Sequence, residues 1–149
     1  MKLIIGFVVV ILLWLLYFAT QMSATYDPLK SYRFSMTREE LEERLFQTVK
    51  SNPSMTLNLR DSTGTDKEYL HYHADISIEG ETEDYEFTIS YYKRDNRWDN
   101  KVKSEVSLIG AFDRANKTGG YKIENTNVEQ LIAVFESKII NKIYKNSSR

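Results

Sequence analysis

The spacing of hydrophobic and polar positions changes three times along this chain. Residues 3–19 (LIIGFVVVILLWLLYFA) form an apolar run that contains no charge. Residues 37–51 place hydrophobic side chains every three or four positions, which is helical spacing. After Pro53 the pattern alternates with a period of two for a long stretch, and residues 126–145 return to helical spacing. The pattern therefore predicts an apolar segment, a helix, a sheet and a terminal helix, in that order.

The helix predicted over residues 37–51 has a clear start signal. Thr37 and Glu40 form a capping box, in which each side chain accepts a hydrogen bond from the backbone of the other. Met36 and Leu41 flank this box as a hydrophobic staple. Just before it, the alternation of Tyr32, Phe34 and Met36 predicts a short first strand.

The alternating region predicts an antiparallel meander of four to six strands, because the stretches that connect the strands are short and turn-like. Its inward-facing positions are predicted to be Met55, Leu57 and Leu59, then Leu70, Tyr72, Ala74, Ile76 and Ile78, then Tyr85, Phe87, Ile89 and Tyr91, then Val102, Ser104, Val106, Leu108, Gly110 and Phe112. The opposite face is polar, and we expect it to be solvated or to be available to a partner.

The helix predicted over residues 126–145 is capped at Thr126 or Asn127 and carries a continuous hydrophobic face. That face comprises Val128, Leu131, Ile132, Phe135, Ile139, Ile140 and Ile143. One apolar sheet face and two apolar helix faces bury one another, so the predicted fold is a two-layer α+β domain.

The order of these elements resembles the helix-grip fold of the START and Bet v 1 group. The resemblance implies a curved sheet wrapped around the last helix, often with a cavity for a lipid or another hydrophobic ligand. Small inward residues such as Ala74, Ser104 and Gly110 would leave such space, or would let a helix pack closely.

Residues 3–19 are long enough to cross a bilayer. As a helix they rise ~26 Å, close to the ~30 Å hydrocarbon core of a membrane. The run is longer than the core of a secretory signal, and residues 20–24 (TQMSA) are a poor cleavage context. We predict a signal-anchor over residues 1–20, a connector over 21–31 and one soluble α+β domain over 32–149, with a cleaved signal as the alternative.

The orientation of this single-pass protein is not decided by flanking charge, since Lys2 stands before the span and Lys30 and Arg33 follow it. A short basic head before an apolar run is typical of exported chains, and the chain has no cysteine. We therefore predict a membrane protein whose C-terminal domain is extracytoplasmic.

Composition excludes several classes of function. The 20 Lys and Arg residues nearly balance 21 acids, so there is no electrostatic footprint for nucleic acid. The lack of cysteine excludes disulfides, thiolate metal sites and cysteine nucleophiles. No serine lies in a nucleophile elbow. We predict a non-enzymatic binding or interaction module with no cofactor. Residues 3–19 would hold it at the lipid bilayer, where it would meet a protein partner. The alternative is a helix-grip carrier or sensor of a hydrophobic small molecule.

His71 and His73 are the only histidines, and their spacing on a strand places both rings on one face. The predicted pairing sets His73 opposite Ser90, and Ser90 opposite Glu105. No carboxylate then lies directly opposite either histidine, and Glu105 is ~10 Å away at a strand spacing of ~4.8 Å. Solvated cross-strand neighbours are the favoured interpretation, and a metal site at these histidines is the alternative.

Three aromatic residues fall at outward or turn positions. Tyr69 and Tyr92 lie on the outer face, and Trp98 lies in a turn among basic residues. Such aromatic side chains can anchor a partner, so all three are candidate partner-binding residues; the alternative is that they cover their own hairpins.

An acidic hairpin tip is formed by Glu79, Glu81, Glu83 and Asp84, and we predict that it is a solvated turn.

Overall fold

The structure, a computed structural model, describes residues 27–60, 72–93 and 104–145. These residues form an α+β fold with an antiparallel sheet, as the sequence predicts. The elements in chain order are β1 (Lys30–Phe34), α1 (Arg38–Lys50), β2 (Met55–Leu59), β3 (Tyr72–Glu79), β4 (Asp84–Lys93), β5 (Ser104–Asp113), β6 (Thr118–Gly120), α2 (Val128–Phe135), a π-helical turn (Glu136–Ile140) and α3 (Asn141–Lys145). We call the last three together the C-terminal helix. Strand β1 begins inside the connector predicted over residues 21–31.

The sheet has the order β1–β5–β4–β3–β2, and β6 also pairs with β5. Strands β2 to β5 are neighbours in chain order, which confirms the predicted meander. The first strand lies beside the last long strand, where β1 pairs with the first half of β5. Strand β6 pairs with the second half of the same edge of β5. Two short strands therefore share one edge of β5.

Helix α1 begins as its capping box predicts. Thr37 Oγ1 accepts a hydrogen bond from the Glu40 amide at 3.2 Å, and a Glu40 carboxylate oxygen accepts one from the Thr37 amide at 2.8 Å. The staple residues Met36 and Leu41 are both buried. The apolar stripe of α1 packs into the core through Leu41, Leu45 and Val49, which are buried.

The C-terminal helix buries all seven residues of its predicted apolar face. It is not uniform, however, because five of its residues form a π-helical turn that the sequence pattern does not predict. Ile139 and Ile140, the last two residues of this turn, are both buried in the core. Asn127 occupies the N-cap position with a left-handed backbone and makes no side-chain capping bond, so the expected cap chemistry is wrong here.

The core lies between the inner face of the sheet and the two helices. Phe135 of α2 is central, with its ring centroid 5.2 Å from that of Phe87 and 5.8 Å from that of Tyr32. Residues of the middle strands, such as Ile76, Ile89 and Leu108, are fully buried beneath the helices.

A β-bulge in β5 corrects the predicted facing of that strand. Thr88 pairs with Gly110 but Ile89 pairs with Leu108, so Ile109 is an extra residue. The extra residue reverses the alternation, because side chains alternate along a strand. Gly110 and Phe112, predicted to face inward, therefore lie on the outer face.

Candidate functional site

The outer face of the sheet, opposite the helices, is polar but is not uniformly solvated. Ser77, Thr88, Ser90 and Ser107 on its central strands are only 5–7% exposed. At its rim, the side chains of Arg33 and Arg60 are 62% and 53% exposed. The expectation of a solvated face is thus wrong at the centre of the sheet, where the side chains are small.

His73 lies on this outer face at the end of a row of hydroxyl side chains. It is opposite Ser90, as the sequence predicts. Ser90 is opposite Ser107, not Glu105, and Ser107 is opposite Ser31. The Ser31 and Ser107 hydroxyl oxygens are 2.9 Å apart. The pairing predicted between β4 and β5 was wrong. Which residues of the two strands lie opposite each other depends on the length of the connection between them.

The other predicted site residues lie at or beyond the ends of the described strands. His71, Tyr69 and Trp98 are outside the described residues. Tyr92 belongs to β4, and its backbone is opposite Glu105. The proposed roles of these four residues stay predictions.

Two carboxylates on the outer face, Asp75 and Glu105, have basic or hydroxyl partners. Asp75 accepts a hydrogen bond from Thr88 Oγ1 at 2.9 Å and forms an ion pair with Arg60. Glu105 lies 3.4 Å from the Arg33 guanidinium. Within residues 27–60, 72–93 and 104–145, no three His, Asp or Glu side chains gather as metal ligands would. The metal hypothesis stays a prediction, since His71 lies outside the described residues.

A groove lies at the end of the outer face where β5 meets β6. Tyr121, just after β6, lays its ring across Gly110 and meets the edge of Phe112, with ring centroids 5.1 Å apart. A Cβ atom on Gly110 would be 2.7 Å from the Tyr121 ring, closer than any stable contact. The bulge in β5 thus turns Gly110 to the outer face, where its lack of a side chain lets the Tyr121 ring pack against the strand.

The β5–β6 turn that borders the groove has a specific backbone. Asp113 accepts hydrogen bonds from the Asn116 backbone amide at 2.9 Å and from the Asn116 side chain at 2.8 Å. These bonds lower the pKa of the Asp113 carboxyl. Lys117 has a φ of 53° and Gly119 a φ of 107°. A Cβ on Gly119 would lie 2.2 Å from the Ala111 carbonyl oxygen, so this close approach requires glycine.

Arg114, the first residue of the β5–β6 turn, also lines the groove and joins it to the acidic hairpin. Its guanidinium lies 2.7 Å from Asp84, 3.2 Å from Glu79 and 3.3 Å from Glu86. Asp84 and Glu79 are directly opposite each other, so their like charges would repel without a bridging cation. Lys138 of the C-terminal helix holds Glu83 at 2.6 Å. The hairpin tip is largely exposed, as predicted, and its carboxylates are in addition ion-paired with Arg114 and Lys138.

The groove has a volume of about 630 Å³ and is open to solvent. Its lining combines the aromatic pair with charges of both signs and comprises Glu86, Phe112, Asp113, Arg114, Lys117, Thr118, Gly119 and Tyr121. Aromatic rings and arginine are enriched at the energetic centres of protein interfaces. The groove is chemically suited to an apolar or aromatic side chain flanked by polar groups.

Two tyrosine–glutamate contacts lie on the helix side of the sheet. Tyr32 donates to Glu136 at 3.1 Å, and Lys30 lies 2.6 Å from the same carboxylate oxygen. Tyr91 donates to Glu42 at 3.3 Å. Burial raises the pKa of both tyrosines, and the neighbouring glutamates add to the effect. These hydroxyls stay protonated and act as structural donors between layers.

The sequence pattern does not reveal the groove, because it places Gly110 and Phe112 on the inward face of the sheet. In a strand without a bulge, Gly110 and Phe112 would lie on the same face as Leu108. A bulge has no unique sequence signal, so the pattern does not show that they face outward. The Gly119–Gly120 pair was the available clue, since two glycines at a turn indicate an unusual backbone.

Comparison of the chain with protein-family models, with curated proteins and with solved structures gave no match. Among the residues that the structure describes, no helix has the length and apolar character needed to span a membrane. The span predicted at residues 3–19 lies outside those residues.

Proposed function

We propose that this protein is a membrane-anchored, non-enzymatic interaction module that holds a segment of a partner protein in the groove beside Tyr121. Residues 3–19 supply the anchor, and the domain binds its partner near the membrane surface. The observation that carries the proposal is the aromatic pair of Tyr121 and Phe112 in an open groove bordered by charges.

The construction of the groove supports a binding role. Phe112 and Tyr121 provide its aromatic surface, and one wall is the β5–β6 turn with its left-handed residues Lys117 and Gly119. Arg114 is held by three carboxylates, so the wall that it forms is already positioned. A preformed surface loses little conformational entropy when a partner binds.

The alternative function, a carrier or sensor of a hydrophobic small molecule, needs space between the sheet and the C-terminal helix. Phe135 contacts the rings of Phe87 and Tyr32 in that region. Leu131, Ile139 and the strand residues beneath them are at most 1% exposed. This packing counts in favour of the interaction module.

The proposal is tested by photo-crosslinking of the full chain in its native membranes. A photoreactive phenylalanine replaces Tyr121 in the groove, and the same residue replaces Tyr144 of α3 as a control. Tyr144 is a suitable match because it is 44% exposed, against 37% for Tyr121. We expect a discrete protein adduct from position 121 and none from position 144.

The adduct identifies the class of ligand. A lipid or other small-molecule adduct at position 121, or the absence of any adduct there, would contradict the proposed protein partner. A reporter fused after Arg149 tests the orientation separately. A reporter active on the cytoplasmic side would contradict the extracytoplasmic prediction.

A further inference from the structure

The two edges of the sheet differ in chemistry. One edge consists of β1 and β6, and β1 carries the charged residues Lys30 and Arg33. The other edge is β2, whose sequence MTLNL contains no charge, no proline and no glycine. Charged residues and proline are the usual means by which proteins block an exposed edge from pairing with another strand. Strand β2 lacks these features.

The backbone of β2 offers hydrogen-bonding groups outward at alternate residues. The Glu79 amide donates to the Ser54 carbonyl and the Arg60 amide to the His73 carbonyl, both at 2.8 Å. Bonded pairs alternate along an antiparallel ladder, so Thr56 and Asn58 also bond toward β3. The intervening residues, Met55, Leu57 and Leu59, direct their backbone groups away from β3, but the Met55 amide donates to the Asn52 carbonyl at 2.9 Å, so Met55 offers only its carbonyl to a further strand. Within the described ranges no strand pairs with this side of β2.

The side chains beside this edge are hydrophobic and incompletely covered. Leu59 is 54% exposed although it faces the helix side of the sheet, and Leu57 is partly exposed. Helix α1, which packs on β2, carries Phe46 at 40% exposure. An edge strand with an adjoining apolar surface is the arrangement that strand addition uses.

We propose that β2 pairs with β2 of a second copy of this chain, in antiparallel register about Leu57. A symmetric dimer needs a surface that is complementary to itself. Leu57 is the middle residue of β2, and its amide and carbonyl point outward, so the two copies bond to each other at this residue. The Leu59 amide of each copy then meets the Met55 carbonyl of the other.

The charges and side chains of this register are compatible. Arg60 of one copy lies opposite Ser54 of the other, so no like charges meet across the strands. The exposed Leu59 lies beside Met55 of the second copy, and Thr56 lies beside Asn58. The dimer leaves the groove at Tyr121 open, since β6 is at the opposite edge of the sheet. Pairing at β2 is therefore independent of what the groove binds.

The absence of cysteine permits a test by disulfide formation in the full chain. Two differently tagged copies are expressed together in membranes, one with Thr56→Cys and the other with Asn58→Cys. In the proposed register these residues form a non-hydrogen-bonded pair with Cα atoms ~4.5 Å apart, within disulfide geometry. Two copies of Thr56→Cys are diagonal neighbours at ~7–8 Å, which is too far for efficient bonding.

We expect the mixed pair to form a disulfide several-fold more efficiently than either identical pair. Two copies with Gln130→Cys, on the exposed side of the C-terminal helix, control for collision in the membrane. Leu59→Lys on both copies should reduce the mixed disulfide several-fold by placing charge at the edge. Ile123→Lys, at a hydrophobic residue of similar exposure elsewhere, should not.

Equal crosslinking of mixed and identical pairs would contradict the register. Failure of the mixed pair to crosslink while the full chain remains folded, or capture of a different protein at position 56, would overturn pairing between copies. Circular dichroism of each cysteine variant verifies that it is folded. A negative result at β2 leaves the crosslinking test at Tyr121 unaffected.

Discussion

Single residues determine the shape of the groove. Gly110 supplies the flat surface under the Tyr121 ring, Gly119 allows β6 to approach β5, and Arg114 holds three carboxylates together. Apart from the Gly119–Gly120 pair, nothing in the chemistry of these residues indicates a site in the sequence. Their importance comes from which atoms the fold places a few ångströms away.

At this scale we predict that Gly110→Ala destabilises the domain by about 1–3 kcal/mol, the usual cost of forcing extra volume into a packed position. The new Cβ would be 2.7 Å from Tyr121, so the ring must move. Denaturant unfolding measures the change. Gly80→Ala is the control, because its nearest neighbour would lie at 3.8 Å.

A second substitution checks the cause. If Tyr121 is the obstacle, Gly110→Ala should cost less in a Tyr121→Ala background than in the native chain. Equal costs in the two backgrounds would show that another contact, such as that with Phe112, is responsible.

Individual elements follow local rules to different extents. Helix α1 forms where its capping box and apolar stripe predict. The C-terminal helix keeps its predicted face but contains a π-helical turn, through which Glu136 and Lys138 make ion pairs with the sheet side of the molecule. Strand β5 has a bulge that its alternation does not reveal.

At the element scale we predict that Thr37→Ala destabilises the domain by about 1 kcal/mol, the typical value for loss of a helix N-cap. The alanine leaves the Glu40 amide without its side-chain acceptor. Thr126→Ala is the matched control at the other helix, where the structure shows Asn127 at the cap without a side-chain bond. If both substitutions lowered the free energy of unfolding equally, the proposed difference between the two caps would be contradicted.

At the scale of the whole molecule, ion pairs join elements that are far apart in the chain. Lys30 of β1 and Glu136 of the C-terminal helix are 2.6 Å apart, and Tyr32 donates to the same glutamate. Lys30 is the main cause of the lowered pKa of Glu136, and the Tyr32 bond adds to it against the opposing effect of burial. These contacts tie the first described strand to the C-terminal helix.

This pair predicts a pH dependence with a definite sign. Because the folded-state pKa of Glu136 lies below its unfolded value of about 4.5, the carboxylate contributes stability above that pH. The contribution is lost as the pH falls through the folded pKa. Unfolding free energies of the native chain and of Glu136→Gln should therefore differ at neutral pH and converge under acidic conditions. Glu129→Gln, on the exposed side of α2, should give no such convergence.

The sequence alone determined those features that depend on neighbouring residues along the chain. The start of α1, the apolar face of the C-terminal helix and the meander follow from capping chemistry and hydrophobic period. The His73–Ser90 pairing follows too, because a short hairpin leaves little freedom in register.

Only the tertiary structure decided the features that depend on contacts between distant segments. It placed β1 beside β5, inserted Ile109 as a bulge and turned Gly110 and Phe112 outward beneath Tyr121. Local periodicity cannot predict these, because the free energies of alternative registers differ through long-range packing. The candidate groove and the uncharged β2 edge both belong to this second group.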